Sequence, residues 1–250
     1  MILKISCCLV VGCFLTSSFA QNSEFNRYAM FAKTAKRAEA ADPVDTQLPL
    51  KLEKGVRIGL VGNTLFDRMH EFGHLEALLQ QAHPENELVL RNLSWAADEV
   101  DLQPRPANFA DADQHLTAMK ADVVLAAFGY NESFAGREGL PAFRERLTKY
   151  LEDIKAKAFN GKSAARVVLV SPIANENVKG VAAADRNNGN IKAYLKVMEE
   201  VAAEQKVGFV DSFTATEKAM ASPGNDLTMN GAHLNEKGYQ LFASTVFAQL

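Results

Sequence analysis

Cysteine is almost absent from this chain, and the few that occur are confined to one place. All three, Cys7, Cys8 and Cys13, lie in the first thirteen residues. That stretch has the make-up of an export leader. Lys4 supplies the positive start, Ile5 to Leu15 an apolar run, and Ser18-Phe19-Ala20 a small-x-small cleavage site before Gln21. A product starting near Gln21 has no disulfide, no thiolate metal site and no cysteine nucleophile. Surplus positive charge is also missing: 27 Lys and Arg against 30 Asp and Glu leave a net charge of −3. With no stripe of cations along the chain, nucleic acid is not the expected partner. The apolar run of the leader is too short to span a bilayer, so no stable membrane span is expected either.

What remains after those exclusions is an exported protein, periplasmic or secreted, that must fold on its core alone. Val10-Val11-Gly12-Cys13 resembles a lipobox, which keeps a lipid anchor on Cys13 as the alternative to release. The chain has 250 residues, 48% of them hydrophobic and 23% charged, enough for one α/β domain with a sizeable core. Three regions follow: residues 1–20 as signal peptide, 21–53 as an N-terminal helix and linker, and 54–250 as the domain. In the second region Asn22 to Ala41 is alanine-rich and reads as a surface helix outside the core. Asp42-Pro43 and Leu48-Pro49 punctuate the linker behind it.

From Val56 onward strand and helix patterns alternate. Arg57 to Val61 reads as a buried strand. Leu65, Met69, Phe72, Leu75, Leu79 and Ala82 recur at helical spacing, and Pro84 stops them. Leu88 to Leu93 reads as the second strand, Asp111 to Lys120 as a helix and Asp122 to Phe128 as the third strand. Leu140 to Phe159 is the longest helix pattern, and Arg166 to Val170 the fourth strand. An Asn- and Gly-rich loop runs to Gly189, then a helix over Ile191 to Gln205, a short strand over Gly208 to Val210 and a closing helix over Asn235 to Leu250. Five strands alternating with helices predict a three-layer α/β/α sandwich around a five-stranded parallel sheet of flavodoxin-like order. Such folds bind ligands outside the carboxyl ends of their strands, which directs attention to the turns that follow each one.

Those turns carry four short motifs: Gly62-Asn63-Thr64 after the first strand, Asn92-Leu93-Ser94-Trp95-Ala96-Ala97-Asp98 after the second, Gly129-Tyr130-Asn131-Glu132 after the third, and Asn230-Gly231-Ala232-His233 before the last helix. The set resembles the SGNH (GDSL-type) hydrolases, whose blocks are GDS, a glycine, GxND and DxxH in that order. The resemblance covers about residues 55 to 250 and implies acyl transfer without a cofactor, on a small-molecule or carbohydrate ester. Thr64 then stands at the nucleophile, His233 at the general base and Asn230 at the residue that orients it. Asn131, with the backbone N–H groups of Thr64 and Ala97, stands at the oxyanion hole. Asn63, Trp95, Glu132 and Arg68 are the candidate substrate contacts. For Arg68 a solvated helix charge is the plainer reading, and for Trp95 core packing stands beside stacking on a sugar.

Three departures weaken the expected chemistry. Thr64 replaces serine, and its methyl restricts χ1. Asn230 replaces an aspartate, and removing that anion in the Ser-His-Asp template costs about 10⁴ in kcat. Ala97 replaces glycine, which is harmless only if the turn needs no positive φ. Asp98, Glu132 and Asp226 are the candidate carboxylates to substitute for the missing one. A second reading therefore keeps the fold and drops the reaction, leaving a pocket for a glycan or an acidic ligand. A third comes from His70-Glu71-Phe72-Gly73-His74, an HExxH pattern that on one helix would present two zinc ligands and a base, with Glu99 or His115 as third ligand. Gly73 and the distance from Thr64 count against that zinc peptidase, and no metal is assigned to the Thr64 site. The oligomeric state is not legible.

Overall fold

The computed structural model describes residues 30–222 and 224–250. The signal peptide, the lipid-anchor candidate Cys13 and the start of the N-terminal helix lie outside the described residues. Five strands form the central sheet: β1 Arg57–Gly62, β2 Val89–Asn92, β3 Val123–Ala127, β4 Arg166–Val170 and β5 Gly208–Val210. Their order is β2-β1-β3-β4-β5 and every pairing is parallel. The predicted flavodoxin-like sheet is therefore the observed one.

Parallel strands joined by crossovers bury both faces, and here the alternation along each strand shows it. On one face Ile58, Leu60, Val123, Leu125, Val168 and Val170 pack against α1 (His74–Ala82) and α6 (Glu236–Gln249) through Leu75, Leu79, Phe242 and Val246. On the other face Val61, Val124, Ala126, Val167 and Leu169 meet α2 (Ala112–Met119), α3 (Leu140–Lys155) and α4 (Ala183–Glu204). Leu116, Phe143, Leu147, Tyr194 and Met198 are the principal contacts there. Each such side chain contributes about 1.5–3 kcal/mol on burial. The chain runs from β1 to β2 on one side of it and then back past β1 to β3 on the other, so the crevice at the carboxyl ends of β1 and β3 is the natural ligand site.

Four local expectations need correction. The pattern from Leu65 to Ala82 is not one helix: a single turn Thr64–Asp67 leads into a 3₁₀ turn Arg68–Glu71, and α1 starts only at His74. Phe72 is extended at the break, and its ring lies 5.3 Å from that of Tyr239 on α6. The helix expected from Ile191 begins eight residues earlier, at Ala183, because Asn177 Oδ1 accepts the N–H groups of Ala184 and Asp185. A helix over Phe213–Met220, α5, was not anticipated; Asp211 caps it by accepting Thr214 N–H at 2.9 Å.

The fourth correction concerns the N-terminal segment. No helix occurs over residues 30–41; Phe31 bridges to Phe109, and Glu39–Ala40 pairs with Lys157–Ala158 instead. Nor does the linker stay outside the core. Leu50 and Leu52 are buried in the α1/α6 layer, and the buried Thr46 accepts Val167 N–H on its hydroxyl at 2.9 Å. Leu50 N–H also donates to the carbonyl of Leu250, the last residue.

Candidate active site

The end of β1 is shaped by close backbone approach. Gly62 has φ +143°, and a Cβ there would sit 2.3 Å from the carbonyl oxygen of Ala127 on β3. Only glycine leaves room for the turn. Asn63 is 3% exposed and its Oδ1 accepts Leu65 N–H at 3.1 Å, so its amide caps the following turn while bordering the cleft. Thr64 is thereby lifted to the crevice.

Across from it, the turn after β2 places Ala97 at φ +67°, a left-handed conformation that costs an alanine about 1–2 kcal/mol. The condition that makes the missing glycine matter is therefore met. What the strain secures is direction: Ala97 N–H donates to Thr64 Oγ1 at 3.1 Å. Asn131, behind the turn of β3, donates from Nδ2 to the carbonyl of Asp98 at 3.2 Å, tying the second motif to the third.

Two buried carboxylates hold these turns. Glu132 accepts Val100 N–H at 2.9 Å and Gly129 N–H at 2.8 Å. Burial pushes its carboxyl above the ordinary range, against the pull of the backbone donors. Asp98 receives both guanidinium nitrogens of Arg105, at 2.8 and 2.6 Å, and Arg105 lies 4.6 Å from the centre of the Trp95 ring. Bidentate charge-assisted bonds of this kind are among the stronger ones available to a loop.

These contacts revise several candidates. Glu132 is 3% exposed and faces backbone, not the cleft, so it is neither a substrate contact nor a substitute partner for His233. Asp98 is likewise occupied. Trp95 is neither core nor cleft: it is 38% exposed, lies against Arg105 and Phe109, and does not line the cavity. Arg68 is not simply solvated. It pairs with Glu71 at 2.9 Å with its side chain 23% exposed, and its charge acts on His233. Among the described residues no contact joins Asp226 to the imidazole of His233.

The His233 side is a tight hairpin between Leu227 and Asn235. Thr228 bridges to Leu234, Met229 N–H donates to His233 O at 2.8 Å, and Asn235 caps α6 through Gly238 N–H at 3.0 Å. Asn230 Oδ1 accepts Ala232 N–H at 3.2 Å and His233 N–H at 2.9 Å, which fixes which way its amide faces. His233 Nδ1 then lies 3.1 Å from that oxygen and 3.0 Å from Asn230 Nδ2. An aspartate only accepts and would demand a proton on Nδ1. This asparagine serves either tautomer: Oδ1 accepts from Nδ1–H, or Nδ2 donates to bare Nδ1. Burial first, and then the charge of Arg68, lower the His233 pKa below its ordinary 6.5.

Thr64, Asn131 and His233 border one cleft of about 280 Å³, with Asn63 and Ala232. The rest of its wall is largely apolar: Phe128, Tyr130, Phe134, Pro172, Ile173 and Leu234. Thr64 Oγ1 and His233 Nε2 share no hydrogen bond, the threonine oxygen being engaged by Ala97. A larger, open recess of about 630 Å³ lies at the opposite end of the sheet, near Arg57, Lys120 and Arg166. It is far from every motif and at the wrong end of the strands for this fold.

The HExxH pattern does not form a metal-binding helix. Glu71 ends the 3₁₀ turn and His74 begins α1, with Gly73 between them. His70 Nδ1 contacts Asp67 O at 2.5 Å, while the His74 ring stacks on Phe72. Among the described residues no group of three or more His, Cys, Asp or Glu side chains is arranged to hold a metal ion. The zinc-peptidase alternative loses its premise.

Sequence reasoning missed Glu176, which is 4% exposed and holds the Leu227–Thr228 end of the His233 hairpin. It sits beyond β4 with no motif around it, so only the fold reveals it.

With this geometry in place, comparison with known proteins is direct. The family model described as GDSL-like lipase/acylhydrolase matches residues 61–241, most of the chain. The chain belongs to that family. Among solved structures, an acetylxylan esterase from Geobacillus stearothermophilus superposes with a TM-score of 0.61 at 20% identity, covering 78% of this chain and 94% of that one. A protein from Parabacteroides merdae described as a GDSL-like lipase gives a TM-score of 0.62 at 17% identity, covering 79% of this chain and 96% of that one. At these identities the likeness speaks for the fold. No curated protein matches the sequence. The GDSL-like family assignment also explains why the four motifs, distant in sequence, converge on one crevice.

Proposed function

We propose that this GDSL-like protein hydrolyses carboxylic esters through a Thr64/His233/Asn230 variant of the Ser-His-Asp arrangement. The carrying observation is that Thr64, Asn131 and His233 border one cleft, with Ala97 N–H aimed at Thr64 Oγ1. His233 Nε2 takes the Thr64 hydroxyl proton as Oγ1 attacks the ester carbonyl. The resulting oxyanion receives Thr64 N–H, Ala97 N–H and Asn131 Nδ2. Collapse breaks the bond to the alcohol oxygen, which leaves with the proton held by His233. Water, deprotonated by the same imidazole, then releases the acid and restores Thr64. Before attack, Ala97 N–H must pass from the threonine oxygen to the carbonyl oxygen, and the Thr64 side chain must turn toward His233.

The apolar wall suits the acyl group, since a sugar ring there would leave its hydroxyls without partners. The alcohol, on this reading a carbohydrate, sits outside. The structural likeness to an acetylxylan esterase supports O-acetyl groups as the leading acyl class. Export through a cleaved leader over residues 1–20 agrees with a polysaccharide substrate.

Assays of p-nitrophenyl acetate hydrolysis by wild type, Thr64→Ala and Thr64→Ser test the reaction. Loss to background in the first variant and a several-fold gain in the second are expected. Activity in Thr64→Ala equal to wild type would sink the mechanism. The competing reading, an impaired binding pocket, is favoured by one observation: Asn230 admits both imidazole tautomers. It prevails if neither wild type nor Thr64→Ser cleaves this ester or acetylated sugars.

A further inference from the structure

A carboxylate taken out of water is costly unless its oxygens are fully engaged. Glu176 is 4% exposed, and among the described residues its partners include no cation. Its oxygens accept Leu227 N–H at 3.1 and 3.2 Å, Thr228 N–H at 2.8 Å and the Thr228 hydroxyl at 2.6 Å. All of these donors belong to two consecutive residues at the root of the hairpin that carries Asn230 and His233.

The connection continues toward the imidazole. While donating to Glu176, Thr228 Oγ1 accepts Gly231 N–H at 3.0 Å, and Gly231 O accepts Glu176 N–H at 2.8 Å. Glu176, Thr228 and Gly231 thus close a ring of hydrogen bonds with Asn230 on its outer side. A Cβ at Gly231 would lie 2.7 Å from the carbonyl oxygen of Glu176, so the two strands of this ring touch without slack. Asn230 in turn accepts Ala232 and His233 N–H and meets Nδ1.

We propose that Glu176 is the positioning residue for His233: this buried carboxylate, acting through Thr228 and Gly231, sets the place of Asn230 and hence the orientation of the imidazole and the balance between its two tautomers. Where a neutral asparagine replaces the anion that would otherwise direct the ring, the direction comes from a carboxylate one layer further in. Its effect on turnover rests on the esterase reading above; its effect on the ring does not.

The test compares Glu176→Gln, Thr228→Val and Thr228→Ser. Glutamine keeps the shape but turns a donor toward the donors of Leu227 or Thr228; valine keeps the shape of Thr228 and removes its hydroxyl; serine restores the hydroxyl. Thermal melting establishes that each variant folds. Imidazole ¹⁵N shifts of His233 report tautomer and titration without requiring any activity, and kcat and KM are read on p-nitrophenyl acetate. The expected result is a shifted tautomer ratio and titration midpoint of His233 in Glu176→Gln and Thr228→Val. Turnover should fall on the order of 10- to 100-fold, as for a misplaced catalytic group, with KM little changed. Thr228→Ser should resemble wild type in both. Folded Glu176→Gln or Thr228→Val with unchanged His233 resonances overturns the proposal. So does failure of both to fold, which makes Glu176 a folding residue only. A wild type inactive on every ester defeats the proposed function, while the ¹⁵N comparison still decides the role of Glu176.

Discussion

The two turns that face each other over the cleft both have buried carboxylate anchors, Asp98 and Glu132 on one side and Glu176 on the other, but differ in how far the backbone itself is constrained. On the Thr64 side the backbone itself is constrained: Gly62 passes against Ala127, and Ala97 is held at φ +67°. On the His233 side the backbone is ordinary apart from Gly231, and side chains hold the loop, through Glu176, Thr228 and Asn230. Departures from the family blocks have correspondingly different consequences. A substitution on the first side stores strain, as at Ala97, or crowds the approach, as at Thr64. On the second side Asn230 stores no strain; it relinquishes the charge that would select one tautomer. Both turns keep their places at the cleft, and on the His233 side a neutral amide meets the imidazole.

The largest effect expected from breaking this balance is on stability. Arg105→Ala should leave the Asp98 carboxylate buried without its partner and cost about 3 kcal/mol, measured by denaturant unfolding. A loss below roughly 1 kcal/mol, typical of exposed pairs, would show that the pair does not hold the Ala97 turn. Next comes Asn230→Asp, which restores an acceptor-only partner for Nδ1 without disturbing the bonds to Ala232 and His233 N–H. Turnover should rise on the order of 10²-fold, below the roughly 10⁴ ceiling set by the reverse change in the triad template. Unchanged turnover would mean that tautomer choice is not what limits the site.

A smaller effect concerns pH. Because the folded pKa of His233 lies below 6.5, lowered by burial and then by Arg68, the neutral imidazole persists into mildly acidic solution. The acid limb of kcat/KM should have its midpoint below 6.5, and Arg68→Gln should move it upward. The sign for stability follows: the unfolded chain binds more protons in this window, so the contribution is complete above 6.5 and lost as pH falls toward the folded value. An acid limb that Arg68→Gln leaves in place would remove Arg68 from the account. Smallest is Ala97→Gly, which relieves the left-handed strain but adds freedom to the unfolded chain, for a net gain of about 0.5 kcal/mol. Melting temperature reads it directly, and a decrease would mean that Ala97 makes a contact worth more than the strain.

Most of the fold was legible because both faces of a parallel sheet must be apolar: Arg166 to Val170 and Gly208 to Val210 were placed to the residue. That Thr64, Asn131 and Ala97 meet at one crevice was legible for a related reason, since they follow strand ends, and His233 joins them from the loop ahead of the closing helix, where its spacing from Asn230 marked it. The early start of α4 was hidden because its first turns contain Asn187-Asn188-Gly189-Asn190, residues that favour loops in isolation, while the cap that rescues them, Asn177, is six residues upstream. The apolar period from Leu65 to Ala82 was real, but it was satisfied by three short pieces, because Phe72 turns away to pack on Tyr239. Glu132 and Glu176 could not be told apart from surface acids without knowing which backbone amides they meet.

The segment before β1 bears on how this protein can be handled as a piece. Leu50 and Leu52 fill part of the α1/α6 layer, Thr46 caps an amide of β4, and Leu50 is joined to the final residue. A fragment cut at Val56, just ahead of the family match, would open a groove along its own core and unpair its last carbonyl. The excised stretch is in effect an intramolecular ligand, and supplied as a separate peptide it would compete for that groove at the cost of independent motion that covalent attachment has already removed. The unit that folds is therefore longer at its start than the unit that the motifs define.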